Sequence, residues 1–185
     1  MGWSEGRRWD PRARYSMFLA FTLSALPSCA FSEASVKHIE RGEISKPLDR
    51  VYLLVFQGEV DRYYAEKLRL VLAEAFRPHT GAVTTFLVTG LELDDSAVEA
   101  DIYRFHPDGI LLLKPVGGHR NAMGGLDRVH YAVTLVESNK RRTLWRAKAT
   151  NEGSPIRMGT RMELMATEIV KNLVWDGVLR EASTR

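Results

Sequence analysis

The chain has 185 residues, 45% hydrophobic and 26% charged, a balance that suits one globular domain and excludes disorder throughout. Its formal charge of +3 is uneven: residues 1–28 hold Arg7, Arg8, Arg12 and Arg14 against Glu5 and Asp10, leaving +1 for the rest. No basic face is evident in that remainder, so nucleic acid is not an expected partner, and Lys140-Arg141-Arg142 reads as a solvated hairpin turn.

The first element is an apolar, uncharged run from Met17 to Ser28. It is much shorter than the roughly 20 residues that span a bilayer as a helix. Arginines precede it and small residues follow, the order of a secretory signal, so 1–28 is read as a signal peptide. Arg7-Arg8 lacks the apolar context of a twin-arginine signal, and starting at Met17 would strip the leader of every arginine. Leu26-Pro27-Ser28-Cys29 resembles the lipobox of bacterial lipoproteins. That resemblance implies a diacylglycerol on the Cys29 thiol, cleavage before Cys29, and anchoring by acyl chains such as palmitate. Ala30 stands where an aspartate would signal inner-membrane retention, which implies the periplasmic face of the outer membrane. A soluble periplasmic or secreted form is the alternative. A single cysteine allows no intramolecular disulfide, and no positioned histidine marks it as a nucleophile.

Residues 29–48, polar and mixed, are read as a lipid-anchored tether, and 49–182 as a single α/β domain. Val51–Phe56 is continuously apolar, as in a strand buried on both faces. A helix is expected from Val60 to Phe76, with Asp61 as N-cap and Pro78 as its stop. It places Tyr64, Leu68, Val71, Leu72, Ala75 and Phe76 on one face. Val83–Val88 is a second strand, and a short helix follows from Asp94, Asp95 or Ser96 to Phe105. Pro107-Asp108-Gly109 supplies a turn into a third strand, Ile110–Leu113. Four glycines between Val116 and Gly125 predict a mobile loop. Val129–Val136 and Arg142–Ala149 then form a hairpin around Ser138-Asn139-Lys140. Thr160–Leu179 is a long helix whose apolar row is Met162, Met165, Ile169 and Leu173. The expected fold class is therefore α/β: a single-layer mixed sheet of about five strands, β-α-β-α-β then a β-hairpin, packed by helices.

Two segments carry a further resemblance: Pro107-Asp108-Gly109-Ile110-Leu111-Leu112 at the lead-in to the third strand, and Leu144-Trp145-Arg146-Ala147 in the hairpin. With the element order from Val51 to Leu179, they resemble the compact α/β domain of several bacterial envelope proteins. These are the curli-secretion lipoproteins, the lipoprotein activators of penicillin-binding proteins, and the TolB amino-terminal domain. The resemblance implies no catalysis. Trp145 itself reads as a core or hairpin aromatic ahead of a partner hot spot.

No Gly-x-Ser-x-Gly elbow, His-Glu-x-x-His pair or phosphate loop occurs, and His38, His79, His106, His119 and His130 lack metal-ligand spacing. Glu92, Asp94, Asp95, Glu99 and Asp101 form an acidic group best explained by complementing a helix dipole. Neither a catalytic residue, a metal nor a cofactor is expected. Gly117, Gly118, Arg120, Gly124 and Gly125 form the candidate interaction loop; Lys114 lies nearby, but the segment leads into a strand rather than a phosphate-binding helix. The leading expectation is a non-enzymatic envelope lipoprotein, held to the membrane by its lipid and working on other envelope proteins or copies of itself. A periplasmic small-ligand binder or enzyme, with a pocket joining Gly117–Gly125 to the 92–101 region, is the alternative. A peptidoglycan-linked structural module is a third.

Overall fold

A computed structural model describes residues 33–90, 96–122, 126–153 and 158–182. Cys29, the signal peptide, and Glu92, Asp94, Asp95, Gly124 and Gly125 lie outside these residues. In chain order the elements are β1 (Glu33–Arg41), β2 (Arg50–Phe56), α1 (Arg62–Phe76), β3 (Ala82–Val88), α2 (Ser96–Phe105), β4 (Gly109–Arg120), β5 (Leu126–Glu137), β6 (Thr143–Glu152) and α3 (Met158–Trp175). The strands form one six-stranded mixed sheet in the order β1-β6-β5-β4-β2-β3. The β2, β3 and β4 strands run parallel, and β4-β5-β6-β1 is an antiparallel meander.

The sixth strand corrects the tether reading. Glu33–Arg41 pairs with β6 and belongs to the folded domain. Ala34 and Val36 pack on the core while Glu33, Ser35 and Lys37 point the other way. Two small apolar residues among charges look like a linker in sequence, yet they suffice for an edge strand whose other face is solvated. The chain stays tied beyond β1: the Gly42 N–H donates to the Leu144 carbonyl at 2.8 Å, and Leu48 is buried.

The main core lies between one sheet face and the pair α1 and α3. Val51, Leu53 and Val55 of β2 meet Leu111 and Leu113 of β4 there, with Val129, Tyr131, Val133 and Leu135 of β5. From α1 come Tyr64, Leu68, Leu72 and Phe76, and from α3 Met162, Met165, Ile169 and Leu173. Asp61 caps α1 as expected, its Oδ1 accepting from the Tyr63 and Tyr64 amides at 2.9 and 3.4 Å. The expected end of α3 moves back to Trp175 because Gly177, at φ +71, turns the chain. Val178 and Leu179 then fold back into the core. On the opposite sheet face, α2 covers β2 and its neighbours through Val98, Ile102 and Phe105 against Tyr52, Leu54, Phe86 and Leu112.

The two segments that carried the resemblance are structural junctions. The Asp108 carboxylate accepts from the Asp49 and Arg50 amides at 3.0 and 2.9 Å, fixing the start of β2 beside β4. Trp145 is fully buried; its Nε1–H donates to Asp176 at 2.8 Å and the His38 ring stacks on it at 5.8 Å. One indole thus joins β1, β6 and the end of α3. Replacing Trp145 by Phe leaves the buried Asp176 without this donor, and an unfolding free energy lower by about 1–3 kcal/mol in urea titrations is the expected result.

Candidate functional site

The glycine segment is in large part a strand. β4 continues past Leu113 to Arg120, with Gly117 opposite His130 and Gly118 opposite Val129. Pro115 permits this because a register shift falls between it and Gly117, and a bulge is where a sheet tolerates proline. Gly118 is required by close approach: a Cβ there would sit 2.9 Å from the Arg128 carbonyl oxygen. Gly117, Gly118 and Arg120 border a shallow cavity of about 400 Å³ with Gly58, Glu59 and Val60. A second cavity of similar volume is lined by His119, Asp127, Arg128, Glu152 and Gly153. Here His119 Nδ1 is 2.9 Å from Asp127, whose carboxyl the contact holds below its usual range. Arg128 and Glu152 form an ion pair.

Beneath this hairpin lies Arg161, which sequence reasoning missed. It is fully buried on α3, and among the described residues no carboxylate is one of its hydrogen-bond acceptors. Its Nε–H donates to Asn151 Oδ1 at 2.8 Å. Nη1 donates to the carbonyls of Leu126 and Gly153 at 3.2 and 2.7 Å, and Nη2 to those of Asp127 and Asn151, both at 3.0 Å. Five donors in a rigid planar fork match five neutral acceptors. Burial lowers its pKa, but a guanidinium stays charged at physiological pH. Asn151 passes the network on, its Nδ2 donating to the Tyr64 hydroxyl at 2.9 Å. Tyr131 closes the cluster; burial raises its pKa well above the ordinary value, and its hydroxyl lacks a well-formed hydrogen bond among the described residues. Arg161 therefore clamps the first residues of β5 to the end of β6. The sequence did carry a signal: Arg161 stands four residues before Met165 and eight before Ile169, on the apolar row of α3.

The described members of the acidic group, Glu99 and Asp101, do not join this end. Asp101 accepts from the Tyr52 hydroxyl at 2.7 Å, and burial, reinforced by this bond, raises the tyrosine pKa. Neither cavity beside the glycine segment is lined by a described residue of the 92–101 region. The larger groove of about 1370 Å³ along α2 is lined by Glu99, Tyr103, His106, Ile110 and Arg141 among others, with no described residue of the glycine segment. The histidines serve separate local contacts: His79 Nδ1 lies 2.8 Å from the Arg180 carbonyl, and His130 Nδ1 lies 3.0 Å from Thr150 Oγ1.

The two sheet edges differ. β1 carries Glu33, Lys37, Glu40 and Arg41 and has a register shift between His38 and Glu40 that leaves Ile39 exposed. β3, Ala-Val-Thr-Thr-Phe-Leu-Val, has no charge, proline or bulge. The Ala82 amide donates to Asp49 at 3.0 Å and the Val88 carbonyl accepts from Gln57 at 2.9 Å, so both ends of β3 point their groups inward, toward β2. Alternation in a parallel ladder then turns the N–H and C=O of Val83, Thr85 and Leu87 outward. Among the described residues no strand pairs with that side.

No protein-family model and no curated protein sequence matches the chain. Its fold does match solved structures. A PelC dodecamer from Paraburkholderia phytofirmans superposes with TM-score 0.53 at 10% identity, covering 75% of this chain and 96% of that one. A second PelC dodecamer structure from the same organism gives TM-score 0.50 at 12% identity, covering 73% and 98%. The lipoprotein GNA1162 from Neisseria meningitidis gives TM-score 0.39 at 17% identity, covering 68% and 98%. The chain shares its fold with PelC.

Proposed function

We propose that this chain is a non-enzymatic, lipid-anchored protein of the bacterial cell envelope that assembles with copies of itself through the free edge of β3. The observation that carries the reading is the outer edge of β3, with which no strand pairs among the described residues. Soluble proteins blunt edge strands with charge, proline or a bulge, as β1 does here; an uncharged edge of seven residues with outward donors and acceptors is a template for another strand. The fold match to a protein that forms a dodecamer supports assembly of this domain type. The lipobox-like leader supports the envelope location. The small-ligand alternative is weaker, since the described residues of the glycine segment and of the acidic region border different cavities.

The test is the mass of the purified chain by light scattering. Wild type is expected to exceed one chain's mass at about 100 μM, where even modest interfaces are populated. Thr85→Pro removes one outward N–H and the Arg69 hydrogen bond to the Thr85 hydroxyl but none of the ladder to β2, so a monomer with unchanged far-UV circular dichroism is expected. A wild-type chain that stays monomeric at that concentration would refute assembly through β3.

A further inference from the structure

The half of the sheet that α2 leaves uncovered carries a row of cations. Lys37 of β1 is paired in register with Lys148 of β6, Lys148 with Ala132 of β5, and Ala132 with Lys114 of β4. All three lysines are exposed and share the face away from α1 and α3: Lys148 lies between buried Ala147 and Ala149, Lys114 follows buried Leu113, and Lys37 follows core-packed Val36. Lys37 and Lys148 stand on adjacent strands, about 5 Å apart along the backbone. Like charges directly opposite one another weaken a sheet unless something neutralises them. The helical face answers its cations locally, pairing Arg69 with Glu66, Arg77 with Glu74 and Lys171 with Glu168. On the open face Arg146 pairs with Glu40, and Arg128 with Glu152. Among the described residues no carboxylate pairs with Lys37, Lys148 or Lys114; Lys114 instead sits 4.3 Å over the Phe56 ring. Beside the row lie the hydroxyls of Ser35 and Thr150 and the imidazole of His130, at the next same-face positions.

We infer that this open face lies on anionic phospholipid headgroups, with Lys37, Lys148 and Lys114 as the contacting cations. The inference rests on the reading of Cys29 as the lipid attachment point for its geometry. β1 begins at Glu33, so four residue steps separate the anchor from the sheet, a reach of about 14 Å at full extension. A domain on so short a leash stays within contact of the bilayer surface. Among the described residues, the open face is the one that offers a row of uncompensated cations to a negative surface.

The experiment is amine acetylation, read by mass spectrometry at each lysine, of the full lipidated chain in vesicles of phosphatidylcholine alone or with phosphatidylglycerol. With phosphatidylglycerol, Lys37, Lys114 and Lys148 are expected to react about fivefold more slowly, the factor one lysine's attraction to an anionic leaflet represents. Lys67 and Lys171, on the helices, are expected to react equally in both vesicles. Equal reactivity of the three lysines in the two vesicles would overturn the inference, and so would equal protection in both. A Cys29→Ser chain run in parallel separates the two ideas. If it holds to phosphatidylglycerol vesicles with the same lysine footprint, the face stands without the anchor. If the lipidated chain is retained on both vesicles with no footprint, the anchor stands and the face falls.

Discussion

Arg161→Ala is expected to lower the unfolding free energy by about 3–5 kcal/mol, because several buried neutral acceptors lose their donors at once. In a chain of this size that shifts the thermal midpoint down by roughly 10 °C. The reasoning is in the acceptors. Asn151 Oδ1 and the carbonyls of Leu126, Asp127, Asn151 and Gly153 remain in place when the guanidinium goes, and each buried acceptor left unmet costs about 1–3 kcal/mol, less where water enters. Arg161→Met separates the clamp from simple packing, since it keeps the apolar volume and removes every donor. It is expected to be nearly as damaging as alanine. Arg161→Lys should rescue less than half, because one ammonium has three donors at a point and cannot span five acceptors. Hydrogen exchange adds a local readout: the amides of Leu126 to Arg128 should exchange faster in all three variants relative to those of β2. A methionine variant as stable as wild type would show that packing, and not the clamp, holds the hairpin.

That clamp shows where the sequence was legible and where it was not. Long, strongly patterned elements were plain: the apolar rows of α1 and α3 and the buried run of β2 meet the core as their spacing predicts. The missing strand is β1, where Ala34 and Val36 alone mark the inward face and the charges that protect the edge also hide it. The extension of β4 was masked by Pro115, Gly117 and Gly118, which signal a loop in isolation. Only the partner strand shows that a bulge absorbs the proline and that Gly118 is pressed against Arg128. Arg161 fell on an apolar stripe and was passed over because burial of a cation depends on carbonyls contributed 8 and 34 to 35 residues away in sequence. The free edge of β3 and the lysine row are products of strand order and register. Neither quantity can be read from one segment at a time.

Moving the start of the domain from residue 49 to residue 33 changes what the anchor would do. A 20-residue tether would let the domain roam; three residues between Cys29 and β1 would not. The start of β1 and the β4-β5 hairpin lie at the same end of the sheet, since Glu33 pairs with Glu152, Glu152 with Arg128 and Arg128 with His119. The segment expected to act as an interaction loop thus lies at the end of the sheet where the chain enters the domain. β3 is at the far side of the sheet from β1. Self-pairing through β3 and contact with headgroups near β1 can therefore occur together, and neighbours joined in the plane of a membrane would each gain from the other's retention.

Cys29→Ser is expected to abolish metabolic labelling with fatty acid and to move the chain from the membrane to the soluble fraction of the envelope. The effect should be near complete because the proposed anchor is multiple. A single acyl chain holds a protein only marginally, while the two chains of a diacylglycerol, at about 0.8 kcal/mol for each buried methylene, make the anchoring stable. The three lysines of the open face contribute only a salt-sensitive attraction by comparison, screened within about 10 Å at moderate ionic strength. Washing membranes with high salt should accordingly leave the wild type bound and strip whatever Cys29→Ser chain remains. Unchanged labelling would place the lipid elsewhere or nowhere. Unchanged, salt-resistant sedimentation of an unlabelled Cys29→Ser chain would instead mean that the apolar run from Met17 stays attached and does the anchoring. Twelve residues are too few to span a bilayer as a helix, so that outcome requires an interfacial attachment, and replacing Leu19 and Phe21 by serine would then release the chain.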